Sequence, residues 1–164
     1  MDKVTSVLLV GVGGQGVLKA SDILSRAAFL AGYDVKKSEV HGMSQRGGGV
    51  TSTVRFAAKV FSPLAPAGSL DVLVAFDRSE GEKYAGLLVP GGRAFFQDGD
   101  LIALLSNPRA ANVALLGVAT SALDIPDEIW EKAISLEMDA RHVEMNVEAF
   151  RAGRRFQSGK GMDT

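Results

Sequence analysis

The chain has 164 residues, of which 46% are hydrophobic and 23% charged, and its formal net charge is −1. This length suits one domain around a single core, and the lack of a basic surplus argues against nucleic acid as a partner.

Cysteine is absent, which excludes disulfides, thiolate nucleophiles and cysteine-ligated iron–sulfur clusters for the chain alone. Only two histidines are present, His41 and His142, so a histidine-rich metal site is disfavoured. The apolar runs are far shorter than the ~20 residues that span a bilayer, and the N-terminus lacks a signal-peptide pattern. We therefore expect a cytoplasmic protein without a membrane partner.

The opening of the chain predicts a strand, a glycine turn, a helix and a second strand. Residues 4–10 form an apolar, β-branched run without a helical period, which is typical of a strand buried at the centre of a parallel sheet. After the turn GVGGQG, apolar residues recur at steps of three and four and predict a helix of about four turns that stops at Gly32. A second strand is predicted for YDVKKSEV, which completes a right-handed βαβ unit.

The regular alternation of strands and helices then breaks at the loop HGMSQRGGG. Residues 50–56 alternate in polarity and predict a strand. The segment AAKVFSPL follows too closely for a crossover helix, so we expect these two segments to pair as an antiparallel hairpin. Further strands are predicted for LDVLVAF and RAFFQ. Between them we expect a helix over DRSEGEKYAGLL, opened by Asp77 or Ser79, and a turn at PGG.

The C-terminal half is predicted to be helical. Helices are expected over NVALLGVATSALD, over IPDEIWEKAISLEM with Pro126 in its first turn, and over RHVEMNVEAFRAG, ending near Gly153. The predicted fold class is therefore α/β: three layers, a Rossmann-like and mostly parallel sheet, an inserted antiparallel hairpin and a helical C-terminal part. We predict a single domain over residues 1–153 and a flexible tail over residues 154–164.

The glycine turn spans Gly11, Gly13, Gly14, Gln15 and Gly16, and it has two interpretations at this point. Such a turn exposes backbone N–H groups at the positive end of a helix, which suits a phosphate. Dinucleotide binding also needs an acidic residue on the second strand, for which Glu39 is available, and a second βαβ half, whose place the hairpin occupies. The alternative is that the glycines serve only the tight turn and close helix–sheet packing.

A second polar cluster lies at the carboxyl end of the second predicted strand. It contains Glu39, His41, Gln45 and Arg46 and runs into three glycines that include Gly47 and Gly48. Open α/β sheets place such a loop beside the first glycine turn. The fork of donors on Arg46 suits a carboxylate, a phosphate or an acidic partner, and His41 is either a proton donor or a structural hydrogen-bonding group.

These two loops together resemble the opening of the γ-type subunit or domain of 2-oxoacid:ferredoxin oxidoreductases. The pairing of GVGGQG with EVHGMSQRGG is more specific than a lone GxGxxG, and the resemblance continues through VFSPLAPAGSLDVLVAF, LVPGG, NVALLGVATSALDIP and VEMNVEAFRAG. Within the family the chain most resembles the β subunit of indolepyruvate:ferredoxin oxidoreductase. The stretch between RAFFQ and NVALL is shorter than in the family.

The resemblance implies a subunit, inactive alone, of an enzyme that oxidatively decarboxylates a 2-oxoacid to an acyl-CoA and reduces ferredoxin. It implies that thiamine diphosphate, magnesium and the iron–sulfur clusters belong to a larger α subunit, with coenzyme A at the interface and ferredoxin as an indirect partner. No catalytic or metal-binding residue is expected in this chain. The glycines of both loops, with Gln15, Glu39, His41, Gln45 and Arg46, are expected to face a cofactor or the partner.

Two other functions are left open by the sequence. One is a free-standing Rossmann-like dehydrogenase that binds a nucleotide, and the other is a non-catalytic docking domain. A homodimer of the isolated chain is also left open.

Overall fold

The structure, a computed structural model, describes residues 3–42 and 48–160. The described residues form a five-stranded sheet in the order β2-β3-β1-β4-β5. The strands are β1 (Thr5–Val12), β2 (Asp34–His41), β3 (Gly49–Ala57), β4 (Leu70–Ala75) and β5 (Leu88–Phe96). The helices are α1 (Val17–Leu30), α2 (Arg78–Glu82), α3 (Gly99–Ala103), α4 (Ala111–Ala119), α5 (Asp127–Glu137) and α6 (Ala140–Lys160). This arrangement confirms the predicted α/β class.

Strand β1 is the centre of the sheet, as its apolar sequence predicts. Residues 7, 9 and 10 are fully buried, and side chains on the two faces of the strand enter two separate apolar clusters. β1 pairs with β4 in parallel, and β4 pairs with β5 in parallel. On its other side β1 pairs with β3 in the antiparallel sense, so the sheet is mixed.

An antiparallel hairpin is inserted in the sheet, but its members differ from those predicted. β3 pairs with the whole length of β2, from Asp34 opposite Ala57 to His41 opposite Val50. The predicted pairing of β3 with the segment AAKVFSPL is wrong, because that segment leaves the sheet as an irregular connection. The opening βαβ unit is also split, since β3 lies between β1 and β2. Alternation of polarity identifies β3 as a strand but carries no information about its neighbour.

Two layers of helices cover one face of the sheet, and a thinner layer covers the other. α1 packs on the sheet beside α4, and α5 and α6 pack outside them. Every residue from Asn112 to Ala119 is buried, which explains why α4 is almost uniformly apolar. The opposite face is covered by α2 and by the connection between β3 and β4, where Ala65 packs against the second apolar cluster, which consists of Leu8, Val10, Leu70, Leu73 and Ala75.

The last helix continues past Gly153 to Lys160, so the predicted end near Gly153 is wrong. A Cβ at Gly153 would lie 1.9 Å from the carbonyl oxygen of Ala114 on α4, and one at Gly117 would lie 2.3 Å from the carbonyl oxygen of Phe150. These glycines therefore permit a backbone-to-backbone crossing of α4 and α6, and Gly153 does not act as a helix stop. The division into a domain over 1–153 and a flexible tail over 154–164 stays a prediction, and residues 161–164 lie outside the described part.

Three smaller differences follow from local backbone chemistry. The helix predicted over DRSEGEKYAGLL is only five residues long, although Asp77 does cap it by accepting a 2.9 Å hydrogen bond from the N–H of Glu80. The predicted turn at PGG is part of β5, where Gly91 has a φ of 82° and the register against β4 shifts. Pro126 is the N-cap of α5 and lies one residue before its first turn. Within the described residues no helix is long and apolar enough to cross a membrane.

Candidate functional site

The first glycine turn joins the end of β1 to the start of α1. The backbone conformation at position 16 requires a glycine there. Gly16 has a φ of 76°, a conformation that glycine adopts without strain. A Cβ at this position would also lie 2.4 Å from Nδ2 of Asn112. That amide nitrogen donates a 3.1 Å hydrogen bond to the carbonyl of Gly16, which ties the turn to the start of α4. Sequence reasoning missed Asn112, since only tertiary structure brings it to the turn.

Gln15 has an internal structural role. Its Oε1 accepts a 2.8 Å hydrogen bond from the N–H of Val12, and its Nε2 donates a 3.2 Å hydrogen bond to the carbonyl of Phe76. The side chain thereby links the ends of β1 and β4. A Cβ at Gly11 would lie 2.6 Å from the same Oε1, so Gly11 provides the room for this amide.

Gly13 differs from its neighbours because nothing in the described part of the chain requires it to be glycine. Its φ is not positive, and no described heavy atom lies within 4 Å of the position that its Cβ would occupy. Gly14 has the same open surroundings, but its φ of 88° accounts for it. Both residues are exposed. The absence of a side chain at Gly13 therefore leaves space on the outer surface of the turn.

The second loop contacts the first, as the sequence predicts. The N–H of Gly13 donates a 3.3 Å hydrogen bond to the carbonyl of Gly48, and the N–H of Gly42 donates a 2.7 Å hydrogen bond to the carbonyl of Gly49. The two glycine loops thus form one surface at the carboxyl ends of β1 and β2. Gln45, Arg46 and Gly47 lie outside the described residues, so their roles stay predictions.

Glu39 and His41 lie on the edge strand β2 and belong to an ion-pair network. Lys37 binds Asp22, and its Nζ lies 2.9 Å from Oε1 of Glu39. Burial lowers the pKa of Lys37, but its hydrogen bonds to Asp22 and Glu39 outweigh burial and raise the pKa above its ordinary value. His41 Nε2 lies 3.9 Å from the second oxygen of Glu39. One oxygen of this carboxylate is therefore paired with Lys37, and the other lies near His41 of the same strand.

The position of Glu39 argues against dinucleotide binding. In that mode the acidic residue sits on the strand adjacent to the glycine turn. Here β3 separates β2 from β1, which places Glu39 two strand spacings, about 10 Å, from β1. In addition, two N–H groups of the turn are used internally, since Gly13 donates to Gly48 and Gln15 donates to Val12.

An open depression of about 430 Å³ lies between the first turn and the start of α1. Its walls are mainly apolar and include Val17, Leu18 and Val50, with His41 and Lys19 also lining it. Lys19 is engaged elsewhere, because its Nζ donates a 3.0 Å hydrogen bond to the carbonyl of Glu137. The described lining therefore favours an uncharged group over a phosphate. Among the described residues no cluster of three metal-ligating side chains occurs.

Glu80 is a further residue at this end of the sheet that sequence reasoning missed. Its side chain is 18% exposed, and Oε1 lies 2.8 Å from Nζ of Lys83. Its other oxygen lies against the start of β3, 2.8 Å from the position that a Cβ of Gly49 would occupy. Gly49 therefore makes room for this carboxylate at the base of the second loop.

Comparison with known proteins identifies the family. The sequence model described as pyruvate ferredoxin/flavodoxin oxidoreductase matches residues 6–101 and 93–156. The chain belongs to this family. The predicted resemblance to the oxidoreductases that act on 2-oxoacids with ferredoxin is thereby confirmed at the level of the family.

The relatives differ in the fraction of their own length that this chain matches. The indolepyruvate oxidoreductase subunit IorB of Thermococcus kodakarensis is 44% identical over 90 residues, which cover 55% of this chain and 45% of that protein. The 2-oxoglutarate synthase subunit KorC of Archaeoglobus fulgidus is 27% identical over 175 residues, covering 98% of this chain and 90% of that protein. The chain thus matches less than half the length of the IorB relative.

Solved structures share the fold of this family member. The chain superposes on 2-oxoglutarate:ferredoxin oxidoreductase from Magnetococcus marinus with a TM-score of 0.82 at 18% identity, covering 97% of this chain and 32% of that one. The γ subunit of a keto/oxoacid ferredoxin oxidoreductase from Geobacter sulfurreducens gives a TM-score of 0.73 at 24% identity, covering 94% of this chain and 99% of that one.

Proposed function

We propose that the chain is the γ-type subunit of a thiamine-diphosphate-dependent 2-oxoacid:ferredoxin oxidoreductase. The complex oxidatively decarboxylates its 2-oxoacid to an acyl-CoA and transfers the electrons to ferredoxin. The 2-oxoacid is indolepyruvate or another aryl pyruvate. The IorB relatives, which are 44% identical over 90 residues of the chain, support this substrate.

The proposal rests on the surface that the two glycine loops form together. The first turn and the second loop meet through the Gly13–Gly48 hydrogen bond, and Gly13 leaves open space that no described residue of the chain fills. A side-chain-poor surface of this kind allows a second polypeptide or a ligand to approach the backbone closely. Gln15 and Asn112 hold the turn from inside, and no described residue fills the space beside Gly13 on its outer side.

The chain's own contribution in this complex is to bind and to exclude water. Thiamine diphosphate, magnesium and the iron–sulfur clusters are held by a larger α subunit and supply the decarboxylation and electron transfer. The apolar depression beside Gly13 suits the uncharged arm of coenzyme A, which the chain would hold against the partner's active centre. Closing over that centre protects its reactive intermediates from water.

The proposal is tested by isolating the complex from the native host. The tagged chain should co-purify with a larger subunit that contains thiamine diphosphate and iron. The captured complex should reduce a viologen dye when indolepyruvate and coenzyme A are both supplied. A tagged chain that purifies alone and binds NAD(H) or NADP(H) in calorimetry would instead establish the dehydrogenase alternative.

A substitution at Gly13 separates ligand contact from simple docking. Gly13→Ala meets no described atom and requires no strained backbone, so the isolated chain should unfold like wild type. In the complex we expect a higher KM for coenzyme A with assembly retained. Gly86→Ala is the matched control, because Gly86 also has open surroundings within the described residues but lies away from both loops. Weaker assembly, with an unchanged KM for coenzyme A in the complex that does form, would favour the docking domain.

Arg46→Ala supplies the corresponding test for the second loop. The sequence predicts that this variant assembles but no longer saturates normally with coenzyme A. A complex that contains Arg46→Ala and turns over with unchanged kinetics would remove Arg46 from the site.

A further inference from the structure

A charged stripe runs along the outer surface of the last helix, α6. It consists of Glu144, Glu148, Arg151 and Arg155, which we call the α6 stripe, and all four residues are exposed. The first and last members lie on the same face of the helix to within about 20°, and they are about 16 Å apart along its axis. The stripe borders an open groove of about 630 Å³, whose described lining comes only from α6. This surface therefore includes neither glycine loop.

The order of charges along the α6 stripe is unfavourable for a helix surface that faces only solvent. Glu144 and Glu148 are like charges at a spacing of four residues, and so are Arg151 and Arg155. Like charges at this spacing repel each other on a helix surface. The helix dipole does not explain the order, because it acts within the first and last turns, and all four residues lie outside those turns. A partner that carries the opposite order of charges would offset the repulsion.

The charges at the two ends of the stripe have no partner among the described residues of the chain. Glu144 and Arg155 form neither an ion pair nor a hydrogen bond there. Arg151, in contrast, donates hydrogen bonds of 2.7 and 2.9 Å to the carboxylate of Glu131 on α5. Glu148 accepts one long hydrogen bond, of 3.5 Å, from a serine hydroxyl. The two charges available to a partner are therefore of opposite sign and lie at opposite ends of the stripe.

The α6 stripe is complementary to a second copy of itself. If two α6 helices pack in the antiparallel sense about a two-fold axis, residue 144 of one copy can lie opposite residue 155 of the other, with residue 148 opposite residue 151. Every carboxylate then faces a guanidinium, and the axis makes each contact twice. A parallel arrangement would place like charges together. A partner surface of a single sign would also meet two like charges, so the second copy fits better than a uniformly acidic or basic protein.

Apolar surface beside the stripe adds to the contact. Ala140, Val143 and Val147 line the groove next to the four charged residues. Val143 and Val147 are half-buried, so each keeps apolar surface that a second helix can cover. The aliphatic part of the Arg155 side chain can pack on the same surface. This contribution matters because exposed ion pairs alone stabilise an interface only weakly.

We propose that the α6 stripe is an interface between two copies of this chain, in which Glu144 of each copy pairs with Arg155 of the other. The dimer does not depend on the proposed function, because the chain alone provides both halves of the interface. Arg151 keeps its hydrogen bonds to Glu131 and contributes its remaining charge to Glu148 of the second copy. A small, charged interface of this kind dissociates reversibly and weakens as the salt concentration rises.

The test is sedimentation equilibrium of the full chain at low and high salt. Wild type should form a reversible dimer that weakens with salt. Glu144→Arg and Arg155→Glu should each raise the dissociation constant about tenfold or more, because each change places like charges at both ends of the interface. Lys132→Glu is the matched control, since Lys132 is exposed but lies on α5. This control should dimerise like wild type.

Mixing the two single variants gives the sharpest result. Glu144→Arg has cations at both ends of its stripe, and Arg155→Glu has carboxylates at both ends. An equimolar mixture should therefore form a mixed dimer, although each variant alone is mainly monomeric. The double variant Glu144→Arg/Arg155→Glu should dimerise with itself again. A substitution that merely disturbed the fold would show neither recovery, and circular dichroism checks that each variant is folded.

Three results would overturn the inference. The first is a wild-type chain that stays monomeric at low salt, or single variants that dimerise as tightly as wild type. The second is a mixture of the single variants that does not associate, because residues 144 and 155 then do not face each other. The third is a monomeric wild type together with weaker retention of the larger subunit on tagged Glu144→Arg, because that subunit would then cover the stripe. Failure to capture a subunit with thiamine diphosphate and iron would refute the proposed function and leave the dimer unaffected.

Discussion

The crossing of α4 and α6 gives a sharp prediction for Gly153. A Cβ placed there would lie 1.9 Å from the carbonyl oxygen of Ala114 and 2.9 Å from its carbonyl carbon. Both of these are backbone atoms in a fully buried helix, so no side chain can rotate away. The two helices must separate by an ångström or more, which loosens the packing of the buried Phe150 on Trp130, whose ring centres lie 5.9 Å apart.

We expect Gly153→Ala to lower the free energy of unfolding by about 3 kcal/mol, at the upper end of the range for overpacked cores. For a chain of this size that corresponds to a melting temperature roughly 6–12 °C lower. The assay is urea and thermal unfolding of the isolated chain followed by circular dichroism. The expected loss exceeds the helix-propensity gain from replacing glycine by alanine, which is at most about 1 kcal/mol.

Gly159→Ala is the matched control, since it makes the same substitution in the same helix. No described heavy atom lies within 4 Å of the position of its Cβ, and the residue is exposed. We expect this variant to be as stable as wild type or slightly more stable. If Gly153→Ala is also neutral or stabilising, the helices do not cross at backbone contact and the explanation given for Gly153 is refuted.

Three further predictions concern the turn, an ion pair and the base of the second loop. Gln15→Ala removes two hydrogen bonds and leaves the N–H of Val12 without its acceptor, so thermal unfolding should show a loss of about 2 kcal/mol. Hydrogen bonds from Arg151 lower the pKa of Glu131, so this pair stabilises the fold while Glu131 is ionised. Urea unfolding across pH should therefore show wild type to be more stable than Arg151→Gln at pH 6, with the difference fading below about pH 4. Gly49→Ala should destabilise the chain by about 1–2 kcal/mol, and a double-mutant cycle should show a smaller loss when Glu80 is already alanine.

The sequence predicts the elements that local patterns determine. The buried β1, and the helix α1 with its end before Gly32, follow from periodicity and turn chemistry. The cap at Asp77 is one of the two residues that the sequence offers for the start of α2. The sequence predicts that the two glycine loops are neighbours, and the Gly13–Gly48 hydrogen bond confirms this. The contact arises because β3 begins beside the end of β1, where Gly49 lies opposite Val12.

The errors occur where tertiary contacts decide. A glycine in a helical pattern predicts either a stop or a close contact, and only the position of α4 shows that Gly153 provides a contact. The strand pattern of residues 50–56 identifies β3 but leaves its partner open, and pairing with β2 replaces the expected hairpin. Asn112 and Glu80 reach the site from distant parts of the chain, and no local motif marks them.

The first glycine turn keeps its conformation through bonds that the folded chain makes by itself. Gln15 and Asn112 fix it from inside, and Gly48 fixes it from the side. The conformational entropy of this segment is therefore lost during folding and not during association. A group that binds at Gly13 meets a preorganised backbone, so its affinity is not reduced by the cost of ordering this turn.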